Sequence, residues 1–179
     1  MGLLWPCRRL KVDSRGIRGE IKTSVDFKSY IEANVGENVS LLDDVELSIL
    51  KADKNKILKT ALVLKEWGFN HLSDVTVVDY LDDGEFEIIY HLWSHERLER
   101  VMLKTRISRN HANISTLTPI WRAAHMHERE NHEMFGIIFE GHGDLSPLLL
   151  EDWDNLPPMR KDFDSRKFVK EELYGDENL

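Results

Sequence analysis

A chain of 179 residues with 41% hydrophobic and 31% charged residues is long enough for one domain with a real core, and its balance is that of a globular protein rather than a disordered one. A formal net charge of −8 excludes the basic footprint on which general nucleic-acid affinity rests, and no apolar run approaches the roughly 20 residues of a membrane-spanning helix. The single cysteine, Cys7, excludes an internal disulfide and a four-thiolate iron–sulfur cluster within this chain.

The opening "MGLLWPCRRLK" puts its apolar residues before its basic ones, the reverse of a secretory signal, so a cytoplasmic protein is expected. Residues 1–24 show no period and are read as a tail. From 25 to 140 the pattern is that of an α+β domain. Val25, Phe27, Tyr30, Ile31 and Val35 recur at helical spacing, with Asp26 placed to cap and Gly36 to stop a first helix. "VSLLDDVELSILKA" holds two short β-like runs split by Asp43 and Asp44. In "DKNKILKTALVLKEWGF", Asp53 is the expected cap of a second helix. Its apolar stripe is Ile57, Leu58, Ala61, Leu62, Leu64 and Trp67, and Gly68 is its stop.

Three β-rich segments follow, "VTVVDYL", "EFEIIYHLWS" and "RVMLKTRIS", with a turn signal at Asp82-Asp83-Gly84, and they predict a meander. Thr118 and Pro119 are placed to start a third helix that Gly136 ends. The order of elements predicts a two-layer α+β sandwich, helices on a mixed β-sheet. Residues 141–179 are predicted to form an extended arm, because Pro147, Pro157 and Pro158 break up a stretch rich in leucine that also carries Trp153 and Phe163. An unperiodic, greasy segment of that kind is expected to dock on a partner. The absence of glutamine beside much Glu and Lys is a bias met in heat-adapted proteins.

The densest chemistry lies in "HERENHEMFGIIFEGHGDLSPLLL", residues 127–150. His127 and His132 are five apart and would point about 140° away from each other on a helix, so the zincin spacing is missing. His125, Glu128 and His132, at offsets of zero, three and seven, would share a face and define a remote alternative, a free-standing metal-dependent hydrolase. Arg129 and Glu133 stand at the i,i+4 spacing of an ordinary ion pair. No nucleophile elbow, phosphate-binding loop or dinucleotide fingerprint is present.

Glu128-Arg129-Glu130, two free positions, Glu133, Met134-Phe135 and then six residues to His142 resemble the signature of the C-type, thirty-kilodalton subunit family of complex I, shared with membrane-bound energy-converting hydrogenases. The likeness continues through "FGIIFEGHGDL", "EDW" and "RKDF". It implies an accessory subunit without catalytic, cofactor-binding or metal-binding residues of its own. Iron–sulfur clusters, and in the hydrogenase branch a nickel–iron centre, would belong to partner subunits. Those partners are a large subunit related to the catalytic subunit of nickel–iron hydrogenases and a small cluster-bearing subunit; membrane subunits are reached indirectly. The place implied is the cytoplasmic face of the cell membrane, in the peripheral arm of an ion-translocating oxidoreductase.

Within the motif, Gly136 is expected to stop the helix, and Gly141 and Gly143 to permit a tight path around His142 and Asp144. Phe135 and Phe139 are candidates for core or interface packing. Glu128, Arg129, Glu130 and Glu133 would bond charge-assisted to a partner or brace the loop, and Trp153, Arg160 and Lys161 would dock the arm. One departure from the respiratory pattern is Gly143 followed by Ser146-Pro147, where a basic pair is usual. It leans the reading toward the hydrogenase branch, in which ferredoxin electrons reduce protons; membership of a quinone oxidoreductase is the alternative.

Overall fold

The computed structural model describes residues 27–36, 39–43, 48–150 and 152–170. The expected tail 1–24 and the caps at Val25 and Asp26 lie outside the described residues.

Helix α1 (Phe27–Val35) buries Ile31 and Val35 and ends at Gly36, whose φ of +92° suits glycine. The split pair of β-like runs forms a hairpin of β1 (Val39–Asp43) and β2 (Ser48–Ala52), antiparallel with Val39 opposite Ala52. Helix α2 (Ile57–Trp67) stops at Gly68, φ +116°. Its buried face consists of Ile57, Thr60, Ala61, Val63 and Leu64, rather than the expected stripe, for Leu58 and Leu62 are exposed. Asp53 does not cap it: a 3-10 turn over Lys54–Lys56 intervenes, and Asp53 contributes its backbone carbonyl to Lys56 N–H instead.

The meander is present as β3 (His71–Tyr80), β4 (Glu85–Ser94) and β5 (Glu99–Ser108), all antiparallel neighbours. β2 joins β5 in parallel, giving a five-stranded mixed sheet of order β1-β2-β5-β4-β3. Period-two alternation puts Phe86, Ile88, Tyr90 and Leu92 of β4, with Val101, Leu103 and Ile107 of β5, into the core. Ile57, Ala61 and Leu64 of α2 and Ile31 and Val35 of α1 belong to the same core, so the domain is the expected α+β sandwich.

Two short strands go beyond the sequence expectation. β6 (Asn113–Ser115) and β7 (Ile138–Glu140) pair in parallel on either side of α3 (Ala124–Phe135). Strands of three residues carry no periodic signal, so their pairing is legible only in space. Helix α3 begins at Ala124 rather than at Pro119, because residues 117–121 first make a turn. Trp121, 3% exposed, is driven into the core there and donates its indole N–H to Phe69 O at 3.0 Å. β3 is one of the two outer strands of the sheet, and α3 packs on it, with Asn131 Nδ2 donating to Val75 O at 2.7 Å.

The segment after β7 does not reach outward as an extended arm over the described residues 142–150 and 152–163. It turns back onto α3 and the end of β3, and then forms the single-turn α4 (Ser165–Phe168), capped by Asp164. Met159 N–H bonds to Met134 O, and Pro157 lies over Gly136. At Gly136 the backbone has φ +75°, and an added Cβ would stand 3.1 Å from Pro157 Cγ. The variant G136A therefore combines left-handed strain with a clash, and urea unfolding is expected to show a loss of about 2 kcal/mol.

Candidate docking site on the third helix

The buried positions of α3 are Ala124, Glu128, Asn131 and Phe135, one helical face with two polar residues in it. Glu128, expected from sequence on a polar outer face, instead points into the core and is fully buried. Its Oε1 accepts from Leu117 N–H at 2.8 Å, and its Oε2 meets the Thr116 hydroxyl. Burial pushes its pKa up from 4.5 to about 7, against the opposing pull of the Thr116 and Leu117 hydrogen bonds. Tyr90, buried on β4, has its phenol raised well above 10, first by burial and then by the negative charge of Glu128. Phe135 and Phe139 are both core residues; Phe135 packs edge-on against Phe86 at 6.0 Å between ring centres.

The metal-binding alternative does not form. Glu128 is turned inward, His132 Nδ1 lies 2.8 Å from Ile137 O, and the His125 ring packs on His142 at 4.7 Å. Among the described residues no three His, Cys, Asp or Glu side chains converge as a metal site.

Arg129 and Glu133 do not pair with each other; both turn to the segment that follows β7. Arg129 Nε donates to Ser146 O at 2.6 Å, and Nη2 donates to Pro147 O at 2.7 Å and to Ser146 Oγ at 3.0 Å. Asp144 sits 3.6 Å from Arg129 Nη1, and hydrogen bonds from Ser146, side chain and backbone, lower its pKa. The Glu133 carboxylate accepts three consecutive N–H groups, those of Leu148 at 3.2 Å, Leu149 at 2.9 Å and Leu150 at 2.8 Å. Of the two roles open to these side chains, bracing the loop is therefore the one the geometry displays. His142 shapes the same loop, with Nε2 3.1 Å from His125 O and Nδ1 accepting from Asp144 N–H. Gly141, φ +85°, takes the left-handed turn that leads into it; Gly143 has no such angle. Glu130 is exposed on the other side of α3.

A second clasp holds the "RKDF" stretch. Arg109 Nε lies 2.8 Å from Asp79 Oδ1, and its Nη2 donates to Asp79 Oδ2 at 3.1 Å and to Asp162 Oδ1 at 2.7 Å. Lys161 N–H donates to Asp79 Oδ2 at 2.9 Å, while the Lys161 side chain is exposed. Burial is the largest single influence on Asp162 and would raise it, but the hydrogen bond from Arg109, a backbone hydrogen bond and the charges of Arg160 and Arg109 together outweigh it and the pKa falls. Arg160 lies 3.3 Å from Asp162 and covers the Phe86 ring at 5.5 Å. Trp153 is half-buried against Phe163 at 5.6 Å and Phe168 at 5.0 Å. What remains uncovered is Leu149, 61% exposed, Met159, 58%, and Leu156, 40%.

Asp79, Arg109, Thr116 and Asn131 escape sequence reasoning. A signal for Asp79 does exist: Val75, Val77 and Asp79 alternate on the buried side of one strand, and a charge at a core position calls for a partner.

The model of the family described as respiratory-chain NADH dehydrogenase, 30 Kd subunit, matches residues 50–169. The C-type subunit of the NADH-quinone oxidoreductase of Moorella thermoacetica is 39% identical over 120 residues, covering 67% of this chain and 80% of that one. The C-type subunit of the F(420)H(2) dehydrogenase of Methanosarcina mazei is 37% identical over 115 residues, 63% of this chain and 72% of that one. A chain in the structure of the membrane-bound sulfane sulfur reductase, an archaeal respiratory membrane complex, superposes with a TM-score of 0.75 at 31% identity, covering 82% of this chain and 88% of that one. Among the described residues no helix is long and apolar enough to cross a membrane. With the signature of α3, the glycine loop and the "RKDF" clasp all inside the matched region, the chain belongs to the 30 kDa subunit family of the respiratory-chain NADH dehydrogenase, the C-type subunits of complex I-like membrane-bound complexes.

Proposed function

We propose that the chain is a non-catalytic scaffold subunit in the peripheral arm of an ion-translocating oxidoreductase, on the cytoplasmic side of the membrane. It packs against the large subunit related to nickel–iron hydrogenases and lies near the small cluster-bearing subunit. The observation that carries this reading is the segment 144–163, clasped by Arg129, Glu133 and Arg109 yet leaving Leu149, Leu156 and Met159 bare. Apolar side chains held in fixed places on a surface are what a partner covers. With one cysteine in its sequence, the chain does not supply four thiolates, so the redox centres sit in its neighbours. Glu130 and the Lys161 side chain, both exposed, make polar contacts with that partner.

Within the family, the hydrogenase-type branch, ferredoxin to protons, is supported by Ser146-Pro147 and by the likeness to an archaeal complex named for reducing sulfane sulfur rather than quinone. A quinone-reducing complex is the second reading, favoured by the identity to the Moorella subunit. The test is to tag the chain in its native host, extract membranes mildly and assay the purified assembly. Expected are a large and a small partner subunit at one copy each and hydrogen evolution from reduced ferredoxin. Quinone reduction in its place selects the second reading, and sulfane sulfur reduction would set the chain with the archaeal reductase. Recovery of the chain alone overturns the scaffold assignment.

A further inference from the structure

The stretch 143–159, GDLSPLLLEDWDNLPPM, contains four acids and no Lys, Arg or His. Asp144, Asp152 and Asp154 are exposed, and of these Asp144 already faces Arg129 at 3.6 Å. Beside Asp152, Pro147 and Leu148 to Leu150 line an open hollow of about 390 Å³. The backbone under this hollow is fixed from α3. Its carbonyls at 146 and 147 are taken by Arg129, and its N–H groups at 148, 149 and 150 are all taken by Glu133. Charge-assisted bonds to main-chain groups are about twice as strong as neutral ones, and they leave Leu149 exposed and Leu148 and Leu150 half-exposed at the hollow.

Resting on the scaffold reading above, we infer that Arg129 and Glu133 preform a docking ledge for a basic, apolar-studded segment of a neighbouring subunit. The apolar residues of that segment fill the leucine-lined hollow, and its Lys or Arg side chains meet Asp152 and Asp154. The motif carboxylate on α3 thus acts on the partner indirectly. It orders the ledge in advance, so that association does not have to freeze a loose loop. The acids supply the charge complementarity that fixes orientation and register.

Two measurements on the full chain test this. Hydrogen exchange of the free protein should show slow amides at Leu148 to Leu150. In Glu133→Ala they should exchange about tenfold faster or more, with the amides of α2 and β5 unchanged. Unchanged exchange at the three leucines overturns the preformed ledge. In native membranes, tagged Glu133→Ala and the exposed double variant D152N/D154N should each recover several-fold less partner than wild type. The deficit of D152N/D154N should shrink as salt screens the wild-type attraction. If wild type brings down its neighbours and both variants do so equally well, the ledge assignment is wrong while the scaffold reading stands. If wild type brings down none, it is the scaffold reading that fails.

Discussion

E128Q will match the wild-type chain in stability near pH 4.5 and exceed it by about 3 kcal/mol at pH 8. The reason is the buried carboxyl on α3, whose pKa is raised from 4.5 to about 7 in the fold, first by burial. The folded state binds its proton more tightly than the unfolded chain does. Between those two pH values the native protein therefore carries more protons, and the stability conferred below pH 4.5 is lost as pH rises to about 7. At 1.36 kcal/mol per pH unit the gap corresponds to about 3 kcal/mol. Glutamine mimics the protonated acid. Its oxygen can accept from Leu117 N–H and its amide can donate to the Thr116 hydroxyl, which already has Thr118 Oγ1 at 2.9 Å. Thermal unfolding of both chains from pH 4.5 to 8.5 checks it, with a gap in Tm opening to about 10 °C at the alkaline end. A variant less stable than wild type at pH 8 would show that the ionised form is the one the core is built for.

The second large effect falls on the clasp. D79A removes the buried one of the two carboxylate partners of Arg109, leaving that guanidinium, 9% exposed, with the outer carboxylate of Asp162 alone, and breaking a buried pair from one side costs about 3 to 5 kcal/mol. It also orphans Lys161 N–H, so the chain near Asp162 loses its anchor on β3. The expected result is a fall in Tm of about 10 °C together with faster tryptic cleavage after Arg160 and Lys161. Replacing both members, D79L with R109M, should recover most of the lost stability, since an apolar pair of similar volume needs no charge compensation. Recovery of stability without recovery of protease resistance would separate core packing from anchorage. A D79A chain as stable and as resistant as wild type would refute the clasp.

How far the sequence discloses this arrangement depends on how local each signal is. The meander is legible because β4 is a run dense in β-branched and aromatic residues and β5 alternates from Val101 to Ser108, and the ends of α1, α2 and α3 because glycine sits at each stop with positive φ. Glu128 is misplaced by sequence reasoning because a charged residue inside "HERENHEMF" reads as a solvated face. Only the Thr116 hydroxyl and the Leu117 N–H, twelve and eleven residues upstream and brought near by the turn before α3, make its burial tolerable. Arg129 and Glu133 read as partners of each other because i,i+4 spacing is a local rule, whereas main-chain groups at 146–150 outcompete it. The signature in α3 is recognisable as a pattern without disclosing its task, since that task is to hold a segment up to 18 residues further on.

One of the sheet's two outer strands has a further consequence. β3 ends the five-stranded sheet, and a bare strand of ten residues is a template for unwanted pairing between copies. Asn131, reaching from α3 to the Val75 carbonyl, and the helix packed on that rim blunt it without any help from a neighbour. At this edge of the sheet the chain thus carries its own guard against strand pairing between copies.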